Sequence, residues 1–180
     1  MTSGVVASAI VPHTPRMGVE ESAPDFVRPL IQGQRDLGEE LRALKPDVIV
    51  LQSSHWVSTF NWYVTVNKIH EGVCIADEAP DLIPGSPYKY DGDPEFGQAV
   101  VDALKGAGLA VGLMDSPHFK WDYASYVPLH YLDPEATIPV VLLPSVICSD
   151  LNENIRVGGL VHEAAVKEGK KVVYLGSCAL

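Results

Sequence analysis

The sequence predicts an α/β fold, a single domain with a mixed, largely parallel central sheet flanked by helices. Three observations predict it: short apolar runs rich in β-branched residues, amphipathic segments that alternate with them, and Gly or Pro at nearly every junction. A chain of 180 residues with 47% hydrophobic content is long enough to bury a substantial core in one domain.

Gly4–Val11 is an apolar run stopped by Pro12, the pattern of a strand buried on both faces, and His13 stands just past its end. Phe26–Leu44 carries Leu37, Leu41 and Leu44 at helical spacing, and Pro46 blocks its continuation. Asp47–Leu51 is a second buried strand, followed by His55, so Gly4–Leu51 reads as a β-α-β unit with right-handed crossover. Phe60–Asn67 alternates aromatic, β-branched and polar residues and predicts a third strand, with Gly72–Ala76 as a short antiparallel partner. Asp91-Gly-Asp-Pro94 turns the chain into a helix over 94–105, ended by Gly106 or Gly108. Ala110–Met114 is the next strand. An irregular aromatic loop, Ser116–Tyr123, leads to a short helix over Ala124–Tyr131, and Pro134 turns the chain. Ile138–Leu143 is a strand, Leu151–Glu168 a helix closed by Gly169, and Lys171–Leu175 a final strand. No repeat, low-complexity tract or linker divides the chain.

Thirteen Lys and Arg against 23 Asp and Glu give a net charge of −10, which argues against a sequence-independent grip on nucleic acid. Three cysteines, Cys74, Cys148 and Cys178, without a Cys-x-x-Cys spacing suggest neither a disulfide framework nor a zinc cluster and fit a reducing cytoplasm. The N-terminus has no basic region followed by a long apolar stretch, and no run approaches the ~18 apolar residues of a membrane span. A soluble protein is expected.

In open α/β sheets ligands bind beyond the carboxyl ends of the strands, and both His13 and His55 occupy such ends. Neutral imidazoles held on separate strands suit divalent iron, zinc or copper, so the pair is read as two ligands of one mononuclear metal site. Two histidines alone do not name the metal. Val-Pro-His13-Thr-Pro stiffens one ligand loop with two prolines, while Ser53-Ser-His55-Trp56 sets hydroxyls and an indole beside the other.

The segments Ile10-Val-Pro-His13-Thr-Pro, Lys45-Pro-Asp-Val-Ile-Val-Leu-Gln-Ser-Ser-His55-Trp56 and Phe119-Lys-Trp-Asp-Tyr123-Ala-Ser-Tyr-Val-Pro-Leu resemble, in order and spacing, the class III extradiol dioxygenases. The likeness extends across essentially the whole chain. It implies a non-haem Fe(2+) ion, with Mn(2+) as the other metal this ligand set accepts, held by His13, His55 and a glutamate. It further implies that a catechol or 2-aminophenol type substrate chelates the metal through adjacent heteroatoms, and that dioxygen opens the ring beside them with both oxygen atoms entering the product. Tyr123 matches a pocket tyrosine that hydrogen-bonds substrate or oxygen, although Ala124 stands where that motif carries glycine. His118, five residues earlier, is a further candidate for the substrate mouth. His70, His130 and His162 are read as surface or packing residues, Asp122 as the cap of a turn, and Asp115 and Asp150 are assigned nothing.

The chain stops at Gly176-Ser-Cys-Ala-Leu180, where the resemblance implies a following Ser-His as acid/base and the glutamate ligand farther on. Residues 1–180 are therefore expected to be a catalytic extradiol-dioxygenase-like domain lacking its C-terminal part. A strand at that end is expected to expose a sheet position that is normally covered. The resemblance also implies a homo-oligomer, or a hetero-oligomer with a related subunit. Two other readings stay open on the sequence: a non-catalytic partner subunit, and a zinc hydrolase built on the same strand ends.

Overall fold

The computed structural model describes residues 3–179; Met1, Thr2 and Leu180, and with them the two extreme ends of the chain, lie outside the described residues. A four-stranded parallel sheet forms the centre: β1 (Gly4–Pro12), β2 (Val48–Ser58), β7 (Val140–Val146) and β8 (Lys171–Cys178) lie in the order β1-β8-β2-β7. The α/β reading holds, with the antiparallel pairing segregated from this sheet.

Three expectations are corrected. First, β1 and β2 are not neighbours, because β8 enters between them, pairing Val11 with Ser177 on one side and Gln52 with Gly176 on the other. The crossover helix α1 (Arg28–Ala43) therefore spans two strand positions. Second, β8 is interior to the sheet, and the edges are β1 and β7. Third, β3 (Trp62–Thr65) pairs in parallel with β6 (Val111–Met114), whereas β4 (Ile69–Ile75) pairs antiparallel with β5 (Pro84–Asp91). β5 escaped prediction because Pro84, Gly85 and Pro87 read as loop, and prolines are tolerated in a two-stranded ribbon whose edges are free.

The alternation of side chains along the parallel strands builds two cores. On one face Ile49, Leu51, Val173, Leu175 and Leu142 pack against α1 and α3 (Tyr123–Leu132). On the other Val48, Val50, Val141, Leu143 and Val172 pack against α2 (Pro94–Gly106) and α4 (Leu151–Lys167). Each fully buried Val or Leu contributes about 2 kcal/mol, so the two faces together hold the sheet between helix layers. α1 and α3 approach so closely at Gly38 that a Cβ there would collide with the Leu132 backbone, which explains a glycine inside a helix. Among the described residues no helix is long and apolar enough to cross a membrane.

Candidate metal centre

The prolines flanking His13 do what the sequence suggested: Pro12 closes β1 and Pro15 opens a single 3-10 turn over Pro15–Met17, which leaves His13 at the carboxyl end of the sheet. His13 is 1% exposed. Its Nδ1 lies 2.8 Å from the hydroxyl of Ser177 on β8. That hydroxyl has one proton, and it donates it to the Ala124 carbonyl at 2.5 Å. The His13 Nδ1 must then be the protonated nitrogen, which leaves Nε2 as a free lone-pair donor. Burial, and then the neighbouring His55, push the imidazole down to about 4, so it is neutral near pH 7, the form that binds a metal.

His55 reaches the same place from inside β2 and not from beyond it. The ladder to β7 runs from Ser53 opposite Pro144 directly to Val57 opposite Ser145, so Ser54, His55 and Trp56 bulge out of the sheet. Ser53 holds the bulge. Its hydroxyl accepts from the backbone N–H groups of His55 and Trp56 at 3.1 and 3.2 Å and donates to the carboxylate of Asp122 at 2.9 Å. Asp122 is the N-cap of α3, accepting from the Ser125 N–H at 2.8 Å, and burial pushes its carboxyl up against the pull of these hydrogen bonds. It caps a turn, as its position beside an aromatic suggested.

The same cap aims Tyr123, the first residue of α3. The approach is fixed by Trp121, which stacks on Tyr88 of β5 at 4.6 Å and 6° and donates its backbone N–H to the Tyr88 hydroxyl at 2.8 Å. The three predicted residues converge: ring centroids are 5.1 Å apart for His13 and His55, 5.6 Å for His13 and Tyr123, and 4.3 Å for His55 and Tyr123. Tyr123 is 8% exposed, and burial, then Glu78, then Asp122 push its phenol up to about 12. It therefore keeps its proton and is a hydrogen-bond donor at neutral pH.

His118 does not join them. It is exposed on the aromatic loop, where its backbone N–H donates to the Ser116 hydroxyl. Asp115 is exposed and Asp150 caps α4. His70 is buried in β4 against the Val140 carbonyl, and His130 and His162 are exposed on helices.

The carboxylate beside the cluster is Glu78, in the segment between β4 and β5. Its Oε1 lies 3.8 Å from His55 Nδ1. Its own backbone N–H, and then Tyr123, hold this carboxyl below its ordinary range. Sequence reasoning missed Glu78, Ser177 and the role of Ser53. Only Ser53 carried a signal, as a hydroxyl beside a ligand.

Two imidazoles from separate strands, one of them with its tautomer fixed, suit a divalent transition metal. Among the described residues no group of three or more His, Cys, Asp or Glu side chains is arranged to hold a metal ion.

Known proteins define the class in which this arrangement belongs. The family described as the catalytic LigB subunit of aromatic ring-opening dioxygenase matches residues 7–180, and the chain belongs to that family. It is 29% identical to the 2-aminophenol 1,6-dioxygenase beta subunit of a Pseudomonas species over 98% of this chain and 62% of that one. It is 26% identical to the 3,4-dihydroxyphenylacetate 2,3-dioxygenase of Escherichia coli over 83% of this chain and 55% of that one. The chain thus spans somewhat more than half the length of these relatives. An uncharacterized protein from Escherichia coli K12 shares the fold, with a TM-score of 0.58 and 24% identity over 82% of this chain and 51% of that one.

Proposed function

We propose that the chain is a non-haem Fe(2+)-dependent extradiol dioxygenase that opens the ring of a catechol or 2-aminophenol type substrate with dioxygen in aromatic catabolism, in the cytoplasm. The observation that carries this reading is the convergence of His13, His55 and Tyr123 at the carboxyl end of the sheet, within 5.6 Å of one another. When bound, the metal, iron or alternatively manganese, supplies a Lewis-acid anchor for adjacent ring heteroatoms and for dioxygen. His13 and His55 would hold it, and Ser177 keeps the His13 lone pair available by accepting from Nδ1. Tyr123 donates its phenolic proton as a hydrogen bond to substrate or oxygen, and its raised pKa keeps that proton in place. The names of the relatives, acting on an aminophenol and on a catechol acid, support the substrate class. That one of them is a beta subunit supports assembly with a second copy or a related subunit.

Iron content after anaerobic reconstitution tests the ligand pair. His13→Ala and His55→Ala are each expected to reduce retained iron to background, while Tyr123→Phe retains it and slows oxygen uptake with 4-methylcatechol or 2-aminophenol by roughly 10- to 100-fold. Full iron retention by both histidine variants refutes the assignment. Metal retention without any oxygen uptake on these substrates points instead to hydrolytic chemistry.

A further inference from the structure

Tyr123 is flanked by two attachments, one to the support of each histidine. On its N-terminal side the Asp122 carboxylate receives the Ser53 hydroxyl, which lies 3.0 and 2.9 Å from its two oxygens. On its C-terminal side the Ala124 carbonyl accepts the Ser177 hydroxyl, and Ser177 lies against His13 Nδ1. The first turn of α3 thus meets both supports within three consecutive residues.

The two attachments differ in what they require of the sequence. Ala124 contributes a backbone carbonyl, which any residue supplies. Asp122 contributes a side chain with two tasks: its Oδ1 accepts the Ser125 N–H at 2.8 Å, which caps the helix, and the Ser53 hydroxyl is held across both oxygens. Capping asks for one acceptor and is met about equally by Asp, Asn or Ser. The Ser53 arm asks for more. The Ser53 oxygen already accepts the N–H groups of His55 and Trp56 on its two lone pairs, so it can turn only a donor toward α3. A carboxylate answers that donor with an acceptor at both of its positions, whereas the amide of Asn would set an N–H group at one of them. Ser53 is fully buried, so bulk water does not compete for the bond. Two hydrogen bonds in series therefore run from the residue before Tyr123 to the backbone of His55, across a separation of 69 positions between Asp122 and Ser53.

Building on the ring-cleavage reading, we infer that Asp122 is a positioning residue for that reaction: through Ser53 it registers the Tyr123 hydroxyl against the backbone that carries His55, so that hydrogen-bond donor and proposed ligand move as one unit. The cap orients α3, and the Ser53 arm fixes where its first turn stands relative to the bulge.

The test compares the full chain with Asp122→Asn, which keeps the cap but sets an N–H group against the Ser53 oxygen, and with Asp122→Ser, which caps yet is too short to reach Ser53. In the metal-free protein, amide hydrogen exchange of His55 and Trp56 is expected to speed up about five- to tenfold in both variants, the effect of losing one ordinary hydrogen bond. The amides of Ser125 and Leu175, which report the cap and the central sheet, keep their rates within about twofold. After Fe(2+) reconstitution both variants retain iron and turn over 4-methylcatechol about three- to tenfold more slowly, because a displaced donor loses rate. In a Tyr123→Phe background the same substitutions slow turnover by less than about twofold, since their effect passes through Tyr123. Unchanged exchange at His55 and Trp56, unchanged turnover, a loss that adds fully to that of Tyr123→Phe, loss of iron, or unfolding of both variants each overturns the inference and leaves the ring-cleavage reading standing. No turnover of 4-methylcatechol or 2-aminophenol by the unmodified chain overturns the ring-cleavage reading and this inference with it, whatever the exchange rates are.

Discussion

His13 and His55 reach one cluster by opposite means. His13 is fixed through its ring: Nδ1 is bound to Ser177 on the central strand, and Ser177 is bound in turn to Ala124 in α3. His55 is fixed through its backbone, on an interruption of β2 that Ser53 gathers, while its ring stays about one-third exposed beside Glu78. A side chain held at a ring nitrogen has both tautomer and direction determined, whereas one held only at its N–H keeps rotation about its side-chain bonds. If both bind the proposed metal, His13 sets the direction of the site and His55 can adjust to complete it.

The largest effect expected from breaking this contrast is at the backbone-held side. Ser53→Ala removes the acceptor for two N–H groups and the donor to a buried carboxylate, and should destabilise the fold by about 3 kcal/mol in chemical denaturation. A loss below about 0.5 kcal/mol would mean that the bulge does not depend on Ser53. The next effect reads the buried side through pH. His13 and His70 are both depressed to about 4, by burial first, from an ordinary 6.5. The unfolded chain therefore binds more protons between these values, so stability is fully present above pH 6.5 and is lost as pH falls toward 4. Each histidine should contribute about 2 kcal/mol of loss in the metal-free protein between pH 6.5 and 5. Thermal unfolding across that window checks it, and His70→Gln should remove roughly half the slope. The smallest effect sharpens the ring-held side: Ser177→Ala frees Nδ1 without touching the bulge, and should lower metal affinity about tenfold in a chelator competition. Unchanged affinity would show that the tautomer is set elsewhere.

The strands and helices that bury one continuous face were readable in the sequence, because 2.0 and 3.6 periodicities leave a record in residue order. The pairing of the strands was not. Nothing local in Lys171–Cys178 says that it will separate β1 from β2, since its apolar run fits any interior position. The histidines and Tyr123 stood out through the residues around them. Glu78 did not, because it lies in an acidic loop whose approach to the cluster depends on the β4–β5 ribbon, itself hidden by three turn-forming residues at the start of β5. Ser177 lies just past the strand read over Lys171–Leu175 and carries no signal of its own; its task depends on the 2.8 Å contact to a histidine 164 positions away.

The position of β8 bears on how the molecule comes into being. β1 and β2 make no ladder with each other; both pair with a strand drawn from residues 171–178. During synthesis the first half of the chain leaves the ribosome with its central sheet seam open, and Ile49, Val50 and Leu51 can pair only with β7, on one side, until β8 emerges. The hydroxyl that fixes the His13 ring arrives in the same moment, because Ser177 lies in β8. On the proposed ligand assignment, metal capture by a nascent chain should thus be a late event, coincident with closure of the sheet.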